Sequence, residues 1–369
     1  MEKTKKTHQK EKMPNISCQG LSIKSALYVF ATLEPAKTTV AFDSYWKFAA
    51  ERQHVFFSRI EGKPAPWSND PILNEYKFTN TYRASDRVSQ FLIKDIIYSK
   101  HTDPQDIFFR IMLFKLFNKI DTWSLLESHL GEINWKTYSY KSYENILSGA
   151  MSSKAAIYSA AYIMASGHDI FGVQRKHQSH LKLLEMMISE KVPERLMKCK
   201  SMRSGFELLR SYPLIGDFLG YQLITDLNYS ELTNFSEMEF TMPGPGARDG
   251  IRKCFSSLGG LSEIDIIRLM ADRQEYEFER LEIDFKSLWG RRLQLIDIQN
   301  IFCEIDKYSR VKHPEIAGIS GRTRIKQKFK ENPDPINYFY PPKWNLKITE
   351  SKKESHTAKL RKNYFKEFL

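Results

Sequence analysis

The chain has 369 residues, of which 41% are apolar and 13% aromatic, and its formal charge is +12. This composition supports a packed core and excludes a globally disordered chain. The positive excess favours a polyanionic partner such as nucleic acid. No run of about eighteen apolar residues occurs, so a membrane-spanning helix is not expected. The lysine-rich start lacks an apolar segment behind it, so a secretory signal is not expected either.

The four cysteines, Cys18, Cys199, Cys254 and Cys303, lie far apart in the sequence. None belongs to a CxxC pair or to a Cys/His cluster with zinc spacing. This pattern is typical of free thiols in a reducing compartment, so a cytoplasmic protein is expected. Neither a metal nor a cofactor is predicted.

Helices dominate the predicted elements, which follow a basic tail at 1–20 that we expect to be flexible. Three-and-four spacing of apolar residues predicts the first helix over 42–56. Strands are expected only as short pieces, at 26–32 and 240–242. The remaining predicted helices cover 72–98, 107–117, 123–130, 153–165, 176–190, 262–280, 287–308 and, at the end, 357–369.

An all-α fold follows from this pattern. The predicted organisation consists of the basic tail 1–20, a helical domain over 21–310 and a C-terminal extension over 311–369. The extension is punctuated by proline and is basic, with six Lys and Arg residues from Lys312 to Lys330.

A candidate nucleic-acid contact lies at 208–227, LLRSYPLIGDFLGYQLITDL, which predicts a helix, a tight turn and a second helix. Pro213 and Gly216 bracket the turn. Backbone N–H groups at the start of the second helix could then hold a phosphate oxygen, as in a helix-hairpin-helix. An ordinary αα-hairpin fits this stretch equally well. The candidate DNA-binding residues are Leu214, Gly216, Phe218, Gly244, Gly246 and Arg248.

Two polar runs are candidates for a base pocket. On a helix, Asn80, Arg83 and Arg87 would share one face, which suits contact with phosphate and a base edge. Salt bridges along a surface helix are the alternative. The second run, 293–310, has an apolar side and a polar side, and solvation of the polar side is its simpler interpretation. The candidate pocket residues are Asn80, Tyr82, Arg83, Asp86, Arg87, Asp297, Gln299, Asn300, Glu304 and Lys307.

Candidate carboxylates stand downstream of the hairpin, where Glu237 and Glu239 precede the turn-forming sequence PGPG. A carboxylate beside a rigid turn can stabilise an oxocarbenium-like sugar or activate a water when an N-glycosidic bond is cleaved. Two solvated loop glutamates are the alternative. Glu239 and Glu237 are the candidate catalytic residues of this stretch.

These stretches, together with YWKFAAERQHVFFSR and PWSNDPILNEYKFTNTYRASDRVS, resemble the alpha-glutamyl/putrescinyl thymine pyrophosphorylase family. That family shares its helical domain with 5-hydroxymethyl-deoxyuridine DNA kinases. The resemblance covers about residues 40–330 and implies a two-lobed, DNA glycosylase-like fold with a helix-hairpin-helix. The chain has no P-loop pattern GxxxxGK[ST], so the kinase half of the kinase fusions is not expected.

Similar proteins serve as antiviral glycosylases that remove glucosylated hydroxymethylcytosine from phage DNA and leave abasic sites. The resemblance therefore implies a monofunctional DNA glycosylase in antiviral defence, with Glu239 as the first choice for the carboxylate. Asp226, in the matching TDL at the end of the hairpin's second helix, is a further candidate catalytic residue that the resemblance implies. No lysine nucleophile follows Gly216. The target base would be flipped out of the stack, and Phe78, Tyr82 and Trp67 are candidates to stack on it.

Phage DNA with modified pyrimidines is the expected partner, without a membrane and without an obligate protein partner. Two alternatives remain open. One is a base-modifying transferase of the pyrophosphorylase type, which would act on thymine or hydroxymethyluracil and leave an intact strand with a heavier base. The other is a non-catalytic DNA-binding module, which predicts salt-sensitive binding without turnover.

Overall fold

The computed structural model describes residues 34–99, 102–160, 164–332 and 336–348. The predicted tail at 1–20, the predicted strand at 26–32 and the predicted helix at 357–369 lie outside these residues. In the compact unit that begins at Pro35, helices form nearly all of the secondary structure, which confirms the predominantly helical fold. Among the described residues, no helix is both long enough and apolar enough to cross a membrane.

Two short antiparallel strands, β1 (Lys37–Thr38) and β2 (Phe255–Ser257), are the strands of the described residues. The helices of the described residues are α1 (Val40–Ile60), α2 (Pro71–Glu75), α3 (Arg87–Phe91), α4 (Pro104–Phe117), α5 (Ile120–Leu130), α6 (Tyr140–Ser152), α7 (His168–Phe171), α8 (Lys176–Ser189), α9 (Val192–Met197), α10 (Met202–Arg210), α11 (Asp217–Leu227), α12 (Pro245–Cys254), α13 (Glu263–Arg280) and α14 (Leu295–Lys312).

Local capping explains where several helices begin. The hydroxyl of Thr39 accepts a hydrogen bond from the backbone N–H of Ala41 at the start of α1. Ser262 and Asp265 form a reciprocal capping box at the start of α13. Such caps satisfy backbone N–H groups that have no partner inside the helix. The predictions at 42–56, 107–117, 123–130, 176–190 and 262–280 are confirmed as α1, α4, α5, α8 and α13.

The predicted long helix at 72–98 is wrong. The helix is broken instead at 76–82, between α2 and a 3-10 turn at Arg83–Ser85, after which α3 continues directly into a π-helical turn at Leu92–Ile97. Arg52 donates from Nη1 to the carbonyl oxygens of Thr79 and Asn80, at 2.9 and 3.4 Å. These contacts occupy carbonyls that a helix would use internally, so tertiary contacts override the local pattern.

Three further predictions need correction. The described residues of 153–165 contain no helix, because α6 ends at Ser152 and Lys154 adopts a left-handed conformation with φ of 61°. The predicted helix at 287–308 starts only at Leu295, where Gln294 and Asp297 form a capping box. Residues 240–242 are irregular rather than a strand.

Glycines allow α12 and α14 to pack closely. A Cβ atom at Gly250 would lie 1.9 Å from the carbonyl oxygen of Phe302, and one at Gly246 would lie 3.3 Å from Sγ of Cys303. Two helices can approach this closely only where side chains are absent. The contact buries α14 in the interior, together with the polar run that this helix carries.

Candidate functional site

A buried ion pair lies at the centre of the polar residues. Nη1 and Nη2 of Arg83 donate to the two carboxylate oxygens of Asp226 in α11, at 2.7 and 3.0 Å. Nζ of Lys115 in α4 lies 3.1 Å from the same carboxylate. Burial opposes ionisation of Asp226, but the two cations outweigh it and hold the pKa of this carboxyl below its usual value. One buried carboxylate thus contacts two buried cations.

Further hydrogen bonds extend this ion pair into a network. Nε of Arg83 donates to Oε1 of Gln222 at 3.0 Å, and its backbone N–H donates to Asp297 at 2.8 Å. Nε2 of Gln222 reaches Oε1 of Gln299 at 3.4 Å. Burial raises the pKa of Asp297 to about 6. The network therefore joins α11 to α14 through the turn that carries Arg83.

The polar side of the run at 293–310 is buried at Asp297 and Glu304 and half-buried at Asn300 and Lys307. Asp297 is 4% exposed, Gln299 2% and Glu304 3%. The solvated interpretation of this run is therefore wrong, because α12 and the segment that begins at Thr79 cover α14. The backbone N–H of Thr79 donates to Glu304 at 3.3 Å, and Asn300 donates to the Thr79 hydroxyl at 3.2 Å.

A second buried cation, Arg52 of α1, lies close to Asp86 and Glu304. Its guanidinium lies 4.4 Å from the centre of the Phe48 ring. Its Nε and Nη2 have no hydrogen-bond partner among the described residues, and burial lowers its pKa to about 10. Burial also raises the pKa of Asp86 to about 7, although this carboxylate accepts a hydrogen bond from the Asn80 backbone at 2.7 Å.

A cavity of about 460 Å³ opens beside Arg52. This volume lies within the range of roughly 300–1,000 Å³ that is typical of small-molecule sites. The polar part of the wall includes Asn74, Asn80 and Glu331 as well as Arg52. The aromatic part consists of Trp67, Tyr76, Phe78 and Phe329.

Residues 327–331, which we call the strap, complete the wall of this cavity. The backbone N–H of Lys77 donates to the carbonyl of Gln327 at 3.0 Å, and that of Phe329 donates to the carbonyl of Glu75 at 2.9 Å. Lys328 forms an ion pair with Glu75. Two strap residues, Phe329 and Glu331, line the cavity. The strap belongs to the basic extension, where no periodicity indicated a role in a site.

The structure gathers most of the predicted pocket residues, although not on one helical face. Asn80 lines the cavity, and Arg83, Asp297 and Gln299 belong to the buried network. The predicted face of Asn80, Arg83 and Arg87 is wrong, because Asn80 lies outside any helix, Arg83 is buried and Arg87 is exposed. Tyr82 is buried and donates to the carbonyl of Arg291, whereas Lys307 is half-buried and pairs with Glu304.

The predicted helix, turn and helix at 208–227 appear as α10, a turn and α11. Gly216 is the N-cap of α11. Leu214 has a φ of 68° and packs against Gly167. A Cβ atom at Gly244 would lie 2.5 Å from the Phe218 ring, so this pair serves close packing. Contact of these residues and of the exposed Arg248 with DNA stays a prediction.

The three candidate carboxylates lie in different surroundings. Glu239 is exposed in a turn, whereas Glu237 is 9% exposed and lies 2.6 Å from Nη2 of Arg291. The carboxylate of Asp226 forms ion pairs with Arg83 and Lys115. The PGPG sequence starts α12 at Pro245 instead of forming a loop turn. Within the residues that the structure describes, no group of three His, Cys, Asp or Glu side chains could hold a metal ion.

Comparison with known proteins defines the class. Residues 39–318 match the family described as 5-hmdU DNA kinase, helical domain. The chain belongs to this family. A particular relative is the 5-hmdU DNA kinase of Bacillus phage SP10, which is 25% identical over 335 residues. The alignment covers 85% of this chain and 52% of the relative, so the chain spans about half the length of the curated protein that it matches. No solved structure gives a significant match.

This membership confirms the resemblance to the helical domain of the kinases and overturns the expected DNA glycosylase. The relative is named as a kinase, which is a transferase, and not as a hydrolase of N-glycosidic bonds. Excision of glucosylated hydroxymethylcytosine in antiviral defence is therefore no longer supported. The same holds for a role of Glu239, Glu237 or Asp226 in base excision. A helical hairpin followed by a carboxylate was too general a pattern to identify the reaction.

Proposed function

We propose that this chain binds DNA that contains 5-hydroxymethyl-deoxyuridine and presents that nucleotide for phosphorylation of its hydroxymethyl group. The family match over residues 39–318 carries the proposal. The name of the phage SP10 relative supplies the substrate and the reaction class. In such a transfer the hydroxymethyl oxygen attacks the terminal phosphoryl group of a nucleotide donor. The bond from phosphorus to the donor breaks, and the hydroxyl proton passes to a base or to water.

The charge of the chain supports DNA as the partner. A net charge of +12 favours phosphate contacts, which supply most of the sequence-independent affinity for DNA. Exposed basic residues precede the strap and lie within it, among them Arg322, Lys326 and Lys330. We propose that they and the turn before α11 hold the DNA backbone, which would bring the DNA to the cavity.

The test compares two duplexes that differ at one position, with thymidine in one and 5-hydroxymethyl-deoxyuridine in the other. Fluorescence anisotropy measures affinity, and mass spectrometry of the nucleosides measures phosphate incorporation in the presence of ATP and Mg²⁺. We expect tighter binding of the modified duplex, with phosphate found only on its hydroxymethyl group if transfer occurs. Equal affinity without transfer would overturn the proposal, and release of a free base would contradict it directly.

A further inference from the structure

The cavity beside Arg52 combines aromatic surface with a buried cation. Trp67 and Phe329 meet edge to face, with ring centres 6.5 Å apart, and both line the cavity. Arg52, which is 3% exposed, is the buried charged residue of the wall. We propose that this cavity receives the modified pyrimidine after it leaves the stack, and that it binds the base most tightly when the 5-substituent is a phosphate ester. The inference rests on the proposed function for its substrate.

Aromatic surface suits an extruded base. A base that leaves the duplex loses its stacking and pairing, at a cost of a few kcal/mol that a pocket must offset. Stacking on aromatic side chains offsets part of that loss. The cavity volume of about 460 Å³ exceeds what a pyrimidine ring alone needs, which leaves room for a substituent on carbon 5.

Arg52 is suited to an anionic substituent. Its Nη1 is used by the carbonyls of Thr79 and Asn80, whereas Nε and Nη2 have no hydrogen-bond partner among the described residues. Buried donors without partners are costly, so an acceptor that reaches them gains more than an exposed contact would. Nε and Nη2 form the edge of a guanidinium that matches two phosphate oxygens.

Carboxylates near the cavity reduce its attraction for an anionic substituent. Asp86 and Glu304 compensate part of the charge of Arg52. Glu331 stands on the exposed part of the wall and repels an anion. A neutral hydroxymethyl group would offer Arg52 one weak acceptor, whereas its phosphate ester offers several charged oxygens. The cavity is therefore matched better to the phosphorylated base than to its precursor.

The experiment uses three duplexes with one variable nucleotide, either thymidine, 5-hydroxymethyl-deoxyuridine or the phosphate monoester of the latter. Affinities are measured by anisotropy at one salt concentration, and 2-aminopurine beside the variable nucleotide reports extrusion. We expect the full chain to bind the phosphate ester tightest, about tenfold or more above the hydroxymethyl duplex, as charge-assisted hydrogen bonds predict. Extrusion of the variable nucleotide should increase from thymidine to 5-hydroxymethyl-deoxyuridine and again to the phosphate monoester.

Variants assign the preference to the cavity. Arg52→Gln should abolish the preference for the ester, and Arg52→Lys should retain part of it. Since Arg52 also supports the segment at Thr79, Glu331→Gln serves as a second variant that leaves the core intact and should strengthen binding of the ester alone. Phe329→Ala should weaken binding of both modified duplexes and spare the thymidine duplex. Tyr276→Ala removes an exposed aromatic outside the wall and should change nothing.

Equal binding of the ester and the hydroxymethyl duplex by the parent protein would overturn the inference. So would unchanged affinities in both Phe329→Ala and Glu331→Gln. If the protein in either case still binds the hydroxymethyl duplex more tightly than the thymidine duplex, the proposed function is retained and only the role of the cavity is lost. If all three duplexes bind equally and no phosphate is transferred, both the inference and the proposed function fail.

Discussion

Arg83 and Asp226 form a two-bond ion pair, with N to O distances of 2.7 and 3.0 Å, in a place where neither side chain is more than 3% exposed. Lys115 approaches the same carboxylate from α4. Three chain segments that are far apart in sequence therefore depend on one carboxyl group. A buried ion pair of this kind adds little net stability compared with apolar packing, but it is costly to break.

Replacement of Asp226 by Asn should destabilise the protein strongly, because the buried cations Arg83 and Lys115 would lose the carboxylate that both of them contact. The expected loss in the free energy of unfolding is about 3–5 kcal/mol, measured by urea denaturation. Asp217→Asn is the matched control on the same helix. That carboxylate is about half exposed and pairs with Arg210 at the surface, so its loss should cost less than about 1 kcal/mol. Equal losses would contradict the role of Asp226.

Asp86 should make the protein less stable as the pH rises, whereas an aspartate with a lowered pKa makes a protein more stable as the pH rises. Burial raises its pKa to about 7 in the folded state, whereas an aspartate in the unfolded chain has a pKa of about 3.9. The folded state thus binds the proton more tightly. The stability that this group contributes is complete below about pH 4 and is lost as the pH rises to about 7.

Asp86→Asn removes this titration and retains an oxygen that can accept from the Asn80 backbone. The variant should therefore gain thermal stability relative to the parent as the pH rises from about 4 to 7, and the gain should level off above that range. Melting temperatures of both proteins between pH 5 and 8 provide the measurement. A difference that does not change with pH would argue against the raised pKa.

Replacement of Gly250 by Ala tests the close packing of α12 against α14, and replacement of Gly149 by Ala is the control. Gly250→Ala would place a methyl group 1.9 Å from the carbonyl oxygen of Phe302, so the helices must separate. We expect a loss of at least about 1–3 kcal/mol in unfolding free energy. Gly149→Ala in α6 meets nothing within 4 Å and should stabilise by roughly 0.5–1 kcal/mol through helix propensity. Changes in melting temperature that have the same sign in both variants would contradict the packing argument.

Elements with local causes could be predicted from the sequence. The helical pattern of the sequence predicts α1 and α13, because that pattern lies inside each helix. The non-helical backbone at 76–82 could not be predicted in this way, since Arg52 and Asp86 hold it through hydrogen bonds with Thr79 and Asn80. Their contacts appear only after α1 and this segment have packed together.

The candidate site was predictable in part for the same reason. Asn80 and Trp67 were singled out, and both line the cavity. Arg52 was missed because a charged residue on an amphipathic helix is expected on the solvated side. Phe329 was missed because it stands within a basic stretch. In both cases the missing information was burial by a distant segment, which periodicity does not encode.

The basic residues around the strap should supply DNA affinity without sequence preference. Arg322→Gln combined with Lys326→Gln should weaken binding of modified and unmodified duplexes alike. The slope of the logarithm of affinity against the logarithm of salt concentration should become less steep by roughly 0.9 for each lost phosphate contact. Anisotropy titrations at several salt concentrations measure both effects.

A matched control removes the same charge elsewhere. The side chains of Lys182 and Arg252 are 42% and 44% exposed and pair with Glu185 and Glu263. Lys182→Gln with Arg252→Gln therefore changes the net charge by the same amount as the strap double variant. If the strap region holds the phosphates, this control should leave the salt slope close to that of the parent, because local contacts and not net charge determine counterion release. Equal slopes in the two double variants would show that only the overall charge matters and would remove the strap region from the DNA path.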